Sequence, residues 1–198
     1  MSFTKRLNAA ERRKEIMDAA AKIIALKGLE KTTMEEIIAG TKLSKGGVYH
    51  YYRNVIEIFK DIMLEGIKYR NEIIKNHLGD LNKNVSKEFI CDEIISKMID
   101  DNPYTSLYVE FLIAKKRNKE LDNLMVELQE QTKESLKVFM DNEPNWLSDP
   151  DLFQFISNFI NAFILASNIL DARDNFINKK ELLKKMIICI LENGEEQI

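Results

Sequence analysis

Apolar residues return every three to four positions along most of this chain, and that period restricts it to helices. Ile16, Ala19, Ala20, Ile23 and Ile24 fall on one helical face. Further on, Ile58, Phe59, Ile62, Met63 and Ile67 do the same. Little in the composition breaks such runs, because 198 residues contain only 7 Gly and 3 Pro. The expected fold class is therefore all-α. The length suits one compact core plus a small satellite domain.

The first helix is expected from about Ala9 to Lys27, with Gly28 as its C′ residue and Leu29 closing the end hydrophobically. Two short helices with a tight turn between them follow. Thr33 is a good N-cap for the first, and Glu36 completes a capping box; Ile37 and Ile38 supply its buried side. Ser44 caps the second, with Val48 and Tyr51 expected on its inward face. That second helix exposes Lys45, Gly46, Gly47, Tyr49 and His50. Its two glycines cost roughly 1 kcal/mol each against alanine. Such a cost is understandable where a phosphate or base edge must approach the backbone closely.

Residues from about 10 to 60 resemble the DNA-binding domain of the tetracycline-repressor (TetR) family. The resemblance rests on Gly28-Leu29-Glu30-Lys31-Thr32-Thr33, on Ile37, on the string Leu43 to Tyr52, and on Glu57-Ile58-Phe59. It implies a three-helix helix-turn-helix head over residues 1–53. A long helix starting at 54 joins this head to a helical-bundle ligand-binding and dimerisation domain over 54–198. It also implies DNA contacts by Thr33, Ser44, Lys45 and Tyr49 to phosphate and by Gly46, Gly47 and His50 at base edges, with Tyr51 and Arg53 beside them. Three positions depart from the family pattern. The turn glycine falls at Lys42, the small residue of the preceding helix at Ile38, and a phosphate-touching lysine at Val55.

Charge is distributed in the same sense. Residues 1–60 hold 12 Lys/Arg against 7 Asp/Glu, whereas residues 61–198 hold 17 against 25, within a net charge of −3. A basic head on an acidic body fits nucleic-acid contact at one end, although a solvated basic face has the same composition. Arg6, Arg12, Arg13 and Lys14 cluster at the start of the first helix, where basic residues oppose the helix dipole and phosphate would relieve them.

In the body, Asn54 with Glu57 starts a helix of more than five turns, with Gly66 in its middle and His77 near its end, placed to meet the dipole. Residues 79–84 form the clearest break after the head. Ser86 caps the next helix, and Asn102-Pro103 starts another. A long helix is expected from Lys119 to Met140, then a loop over 144–148. Asp149-Pro150 caps the most apolar helix, residues 151–170. The last helix is expected to be capped by Asn178 with Glu181 and to end at Gly194. Residues 151–170 could span a bilayer by length. Asp151, Gln154, Asn158, Asn161 and Asn168 interrupt them, so no membrane partner is expected.

A helix apolar nearly all round must be covered on two sides, one of which a second copy can supply. Ile160, Ile164, Leu183, Ile187 and Ile190 are candidates for such a homodimer interface. Tyr104, Tyr108, Phe111, Trp146, Phe155, Asn158 and Phe159 form an aromatic set with a polar handle, suited either to lining an effector pocket or to filling a solid core.

Two histidines in different elements, the absence of a phosphate-cradling glycine loop and two distant cysteines, Cys91 and Cys189, point to no enzyme, no metal site and no cofactor. No signal-peptide pattern opens the chain, so a cytoplasmic location is expected. The expected function is a ligand-responsive, DNA-binding transcriptional regulator, most simply a repressor. As a dimer it would bind a roughly palindromic site in double-stranded DNA, and a small apolar or amphipathic effector would release it. The alternative is an all-helical binding or scaffolding protein with a degenerate helix-turn-helix.

Overall fold

The structure, a computed structural model, describes residues 8–79, 85–140 and 144–193. Arg6, the break over 80–84 and Gly194 lie outside them. Among the described residues all regular structure is helical: α1 Ala9–Lys27, a 3-10 turn Leu29–Lys31, α2 Met34–Ala39, α3 Lys45–Tyr49 and α4 Val55–Leu78. There follow α5 Lys87–Ile99, α6 Thr105–Ala114, α7 Lys119–Lys137, α8 Asn145–Ser148, α9 Pro150–Ile169, α10 Arg173–Asn178 and α11 Lys180–Asn193.

The chain divides into two compact units. The first holds the residues up to Gly66 together with Ser106–Val126; the second holds Ile67–Thr105 and the residues from Glu127 onward. The boundary between them cuts α4 and α7 in mid-helix.

The core of the first unit is built from Ile16, Ala20 and Ile24 of α1, Ile37 of α2, Val48 of α3, Ile58, Phe59 and Ile62 of α4, and Phe111 of α6, all buried. Full burial of each large apolar side chain stabilises the fold by about 1.5–3 kcal/mol. Phe59 and Phe111 meet as a tilted ring pair with centroids 6.3 Å apart. In the second unit α5 packs on α9 and α11. Cys91, Ile95 and Met98 of α5, Ile156, Ile160 and Ile164 of α9, and Leu183, Ile187 and Leu191 of α11 are buried there. Ser167, a buried polar group of this layer, donates its hydroxyl to the Met98 carbonyl at 3.0 Å, which satisfies both atoms away from water.

Three element boundaries differ from the sequence expectation. Residues 145–148 form the single turn α8 rather than a loop, closed by the Asp149 N–H on the Asn145 carbonyl at 2.8 Å. Asn178 ends the additional short helix α10 and does not cap α11. Finally, α7 stops at Lys137 because its last turn tightens: Phe139 N–H donates to Leu136 O at 3.0 Å and Met140 N–H to Lys137 O at 3.2 Å.

Gly28 ends α1 with φ 86° and ψ 158°, a conformation essentially reserved for glycine. The next N–H, of Leu29, donates to Glu110 Oε1 at 2.8 Å. A Cβ on Gly28 would lie 3.2 Å from that same oxygen. Gly28→Ala is expected to lower stability by about 1–3 kcal/mol. The check is a lower urea midpoint at unchanged denaturant slope; an unmoved midpoint would mean that the backbone relaxes there freely.

Candidate nucleic-acid interface

Caps define the two short helices. Thr33 Oγ1 accepts from Glu36 N at 3.4 Å, and Glu36 Oε2 accepts from Thr33 N at 3.0 Å and from the Thr33 hydroxyl at 2.8 Å. The Lys27 ammonium also pairs with Glu36. These bonds, with Lys27 first, hold the Glu36 carboxyl down at about 2. Ser44 Oγ accepts from Gly47 N at 3.2 Å and starts α3.

The turn between them is closed by side chains. Thr41 Oγ1 donates to Ile38 O at 3.0 Å and accepts from Leu43 N at 3.2 Å. Lys42, where the family pattern has glycine, donates its N–H to Glu15 Oε1 at 2.7 Å. That bond, reinforced by Arg12, keeps the Glu15 carboxyl below its ordinary value. The close backbone approach occurs instead at Gly40, whose Cβ would sit 3.2 Å from Ala19 Cβ. Lys42 therefore fits a turn whose tight contact has been taken over two residues earlier.

Behind α3, Val48 is fully buried and Tyr52 is 2% exposed. Tyr52, rather than the expected Tyr51, is the second inward residue. The helical turn continues one residue past His50, with Tyr52 N–H on Val48 O at 3.1 Å, so the i+4 position lies beneath Val48. Tyr51 is half-buried, and the Arg13 guanidinium stands over both rings, at 5.7 Å and 5.1 Å from their centroids. Tyr52 donates its hydroxyl to Asp61 Oδ2 at 2.8 Å, an oxygen that also accepts from Arg13 Nη1 at 3.3 Å. Burial and the Asp61 carboxylate raise the Tyr52 hydroxyl to about 12, so it remains a donor at ordinary pH.

With that backing, the outer surface of α3 is open. Thr33, Ser44, Lys45, Gly46, Tyr49, His50 and Arg53 are exposed, and Gly47 and Tyr51 are half-buried. All nine belong to the first unit. Nothing lies within 4 Å of a Cβ built on Gly46, while at Gly47 the nearest atoms, Leu43 Cδ2 and Ser44 Oγ, are at an ordinary 3.4 Å. Neither glycine is demanded by the free fold. Lys45 Nζ stands 5.9 Å from the Tyr49 ring centroid, and His50 meets Tyr51 edge-on at 5.0 Å. The Arg53 N–H is fixed by Glu57 Oε2 at 2.7 Å, and Glu57 N–H by Asn54 Oδ1 at 2.8 Å, which together cap α4. At the start of α1 each basic residue has an acidic neighbour: Arg12 with Glu15, Arg13 with Asp61 and Lys14 with Asp18. The α1 dipole is met from within by the Asn8–Glu11 capping box.

The residues proposed for pocket and dimer are dispersed. Tyr108 and Phe111 belong to the first unit, their centroids 5.9 Å apart, and the other five to the second. There Tyr104 meets Tyr69 at 5.4 Å, Trp146 is buried, Phe159 joins Phe163 at 4.9 Å, and Phe155 and Asn158 are exposed. Ile160, Ile164, Leu183 and Ile187 are buried inside the protomer, and Ile190 is half-buried. The apolar side chains that these helices leave exposed are Phe155 and Ile169 on α9, with Leu182 and Met186 on α11.

One charged group escapes the sequence pattern. Arg70 of α4 donates through Nη2 to Glu93 O at 2.6 Å and Glu93 Oε2 at 2.7 Å, and through Nη1 to Ser96 Oγ at 3.2 Å. His77, expected to meet the helix dipole, instead bonds Glu93 Oε1 through Nδ1. Glu93, Ser96, Lys97 and Asp100 recur at helical spacing and read as a solvated face. Only the 70–93 pairing, distant in sequence, contradicts that reading.

Tyr52→Phe keeps the ring and removes the bond to Asp61. A hydrogen bond to a charged group contributes about 1.5–3 kcal/mol, and the low end is expected because Asp61 keeps Arg13. Denaturation should show that loss, and a variant as stable as the parent would remove Asp61 from the support of α3.

Residues 16–62 match the model of the bacterial regulatory proteins of the tetR family. The chain is similar to the uncharacterized HTH-type transcriptional regulator YfiR of Bacillus subtilis (strain 168), 37% identical over 57 residues. That match covers 29% of this chain and 28% of the relative, so little more than a quarter of the relative's length is spanned. Among solved structures, Salmonella enterica GusR is similar with a TM-score of 0.72 at 18% identity, over 96% of this chain and 100% of that one. A TetR-family regulator structure from Syntrophomonas wolfei is similar with a TM-score of 0.67 at 16% identity, over 96% of this chain and 98% of that one. At such identities the likeness concerns the fold, while the head carries the match in sequence. Over residues 16–62 the chain is thus similar in sequence to the bacterial regulatory proteins of the tetR family, and its helical fold is similar to that of the solved structures named above.

Proposed function

We propose that this protein is a DNA-binding transcriptional regulator, most simply a repressor, whose α3 enters the major groove. The observation that carries the reading is the open space beside Gly46 on a short, fully backed helix. A duplex can approach that backbone directly. Ser44, Lys45 and Tyr49 flank it as phosphate donors, with Arg53 beyond, and His50 lies where base edges are within reach. Thr33 contributes its position at the α2 N-terminus, since its hydroxyl is engaged with Glu36.

In this reading residues 1–53 read DNA, and residues 54–198 bind an effector and pair with a second copy. The exposed apolar side chains of α9 and α11, Phe155, Ile169, Leu182 and Met186, support pairing through these helices, since monomers rarely leave large contiguous apolar faces to water. The dimer then sets two α3 helices about 34–36 Å apart on a roughly palindromic operator. A small apolar or amphipathic effector releases it.

The test is fluorescence anisotropy with the protein's own upstream region and with a random duplex, across a salt series. Affinity for the upstream region should exceed that for random sequence and fall steeply with salt. Gly46→Ala puts a methyl group into open space, so the free protein should be no less stable. Its affinity for the duplex should nevertheless drop by about tenfold or more, equivalent to about 1.4 kcal/mol. Tyr49→Ala should weaken both duplexes alike, and His50→Ala should narrow the ratio between them. A flat salt response without preference would favour the scaffolding alternative.

A further inference from the structure

Residues 37–56 run from α2 through α3 to the start of α4. They contain Lys42, Lys45 and Arg53 but no Asp or Glu, in a chain that carries 32 such residues among 198. Three carboxylates reach into this stretch from outside it. Glu15 Oε1 accepts from the Lys42 N–H at 2.7 Å, Glu57 Oε2 from the Arg53 N–H at 2.7 Å, and Asp61 Oδ2 from the Tyr52 hydroxyl at 2.8 Å. Each thus satisfies an N–H or O–H group. Among the described residues no carboxylate forms an ion pair with the side chain of Lys42, Lys45 or Arg53. Two of the three serve other cations, Glu15 with Arg12 at 2.9 Å and Asp61 with Arg13 at 3.3 Å. The charged groups bonded to this stretch, directly or through a shared carboxylate, are therefore five cations and three carboxylates, an excess of two positive charges.

Lys42 is held in place without being neutralised. Glu15 fixes its N–H, and on either side Thr41 Oγ1 bonds the Ile38 carbonyl at 3.0 Å and the Leu43 N–H at 3.2 Å. The Glu15 charge also acts on Lys42, but the second oxygen of that carboxylate belongs to Arg12. The Lys42 side chain is exposed. An exposed lysine is ordinary by itself; its place distinguishes this one. It precedes Ser44 by two residues, so its Cα lies within about 7 Å of the Ser44 Cα. A DNA strand carries a phosphate about every 3.4 Å along the helix axis. A duplex seated on Ser44 and Lys45 therefore has a further phosphate within reach of Lys42.

We propose that Lys42 contacts a backbone phosphate of the duplex and, on a main chain pinned by Glu15, sets the register of α3 from the side of the turn. The inference rests on the reading of α3 as the DNA-contacting helix and adds one contact to it. A turn lysine is thus a binding group in its own right, and not merely a tolerated replacement for glycine.

The test is the slope of log affinity against log salt concentration for the full-length protein, with the upstream region and with a random duplex. Lys42→Gln keeps the N–H that Glu15 holds and removes only the charge. It should make the slope shallower by about 0.9 for each bound head, or about 1.8 for two, and weaken both duplexes by the same factor. Lys42→Arg should keep the wild-type slope. Lys116→Gln removes an equal charge from the exposed turn after α6 and should also keep it. The proposal is overturned if Lys42→Gln has the wild-type slope, or if Lys116→Gln flattens it as much, since net charge alone would then act. It is also overturned if Lys42→Gln weakens only the upstream region, because the contact would then be to a base. The two readings fail separately: a steep wild-type slope unchanged by Lys42→Gln sinks this contact and leaves the regulator, whereas a flat wild-type response sinks both.

Discussion

A five-residue helix containing two glycines has no stability of its own; helices so short do not repay the cost of nucleation. Everything about α3 therefore depends on what lies behind it. Val48 and Tyr52 anchor it in the core of the first unit, and the Tyr52 hydroxyl ties it to Asp61 of α4. Ser44 fixes its start, and Lys42, bonded to Glu15 of α1, fixes the turn before it. The outward face is thereby released from structural duty, and Gly46 can be left bare. Such a division between a supported back and an unencumbered front is what reading a duplex requires, because phosphate and base contacts are made at fixed register.

The same economy explains one departure from the family pattern, the lysine at position 42. A lysine in place of the turn glycine is tolerable because the conformation there does not need glycine. Gly40 has φ −80° and ψ −6°, and what it supplies is closeness to Ala19 rather than an unusual backbone angle. Gly28 is the contrasting case. Its positive φ is needed to let the Leu29 N–H turn toward Glu110, so the end of α1 is fixed by a carboxylate of α6, far away in sequence. Both residues belong to the first unit, which shows that the head recruits α6 as part of its own core.

Local chemistry was legible in the sequence wherever a few adjacent residues decide the outcome. The caps at Thr33, Ser44, Asn54, Ser86 and Asp149 follow from side-chain acceptors three residues or fewer from the N–H groups that they satisfy. Reading which of two adjacent tyrosines points inward required knowing that the turn after His50 continues. In α9 and α11 an apolar residue occurs on nearly every face, so period alone does not distinguish Ile160 and Leu183, buried within the protomer, from Phe155 and Leu182, exposed on it. The pairing of Arg70 with Glu93 was invisible for a related reason: on a helical wheel Glu93 joins Lys97 and Asp100 as a charged face, and its partner on α4 lies far away in sequence.

The central claim is that the glycine-bearing front of α3 is the surface that receives DNA. Backbone amide chemical shifts of the labelled protein, followed while a duplex of its own upstream region is added, test that claim most directly. The account predicts that the amides of Gly46 and Gly47 move or broaden most, together with those of Lys45, Tyr49 and His50, and recover as salt is raised. Shifts confined to residues outside 33–53, with the amides of Gly46 and Gly47 unmoved at saturation, would contradict it.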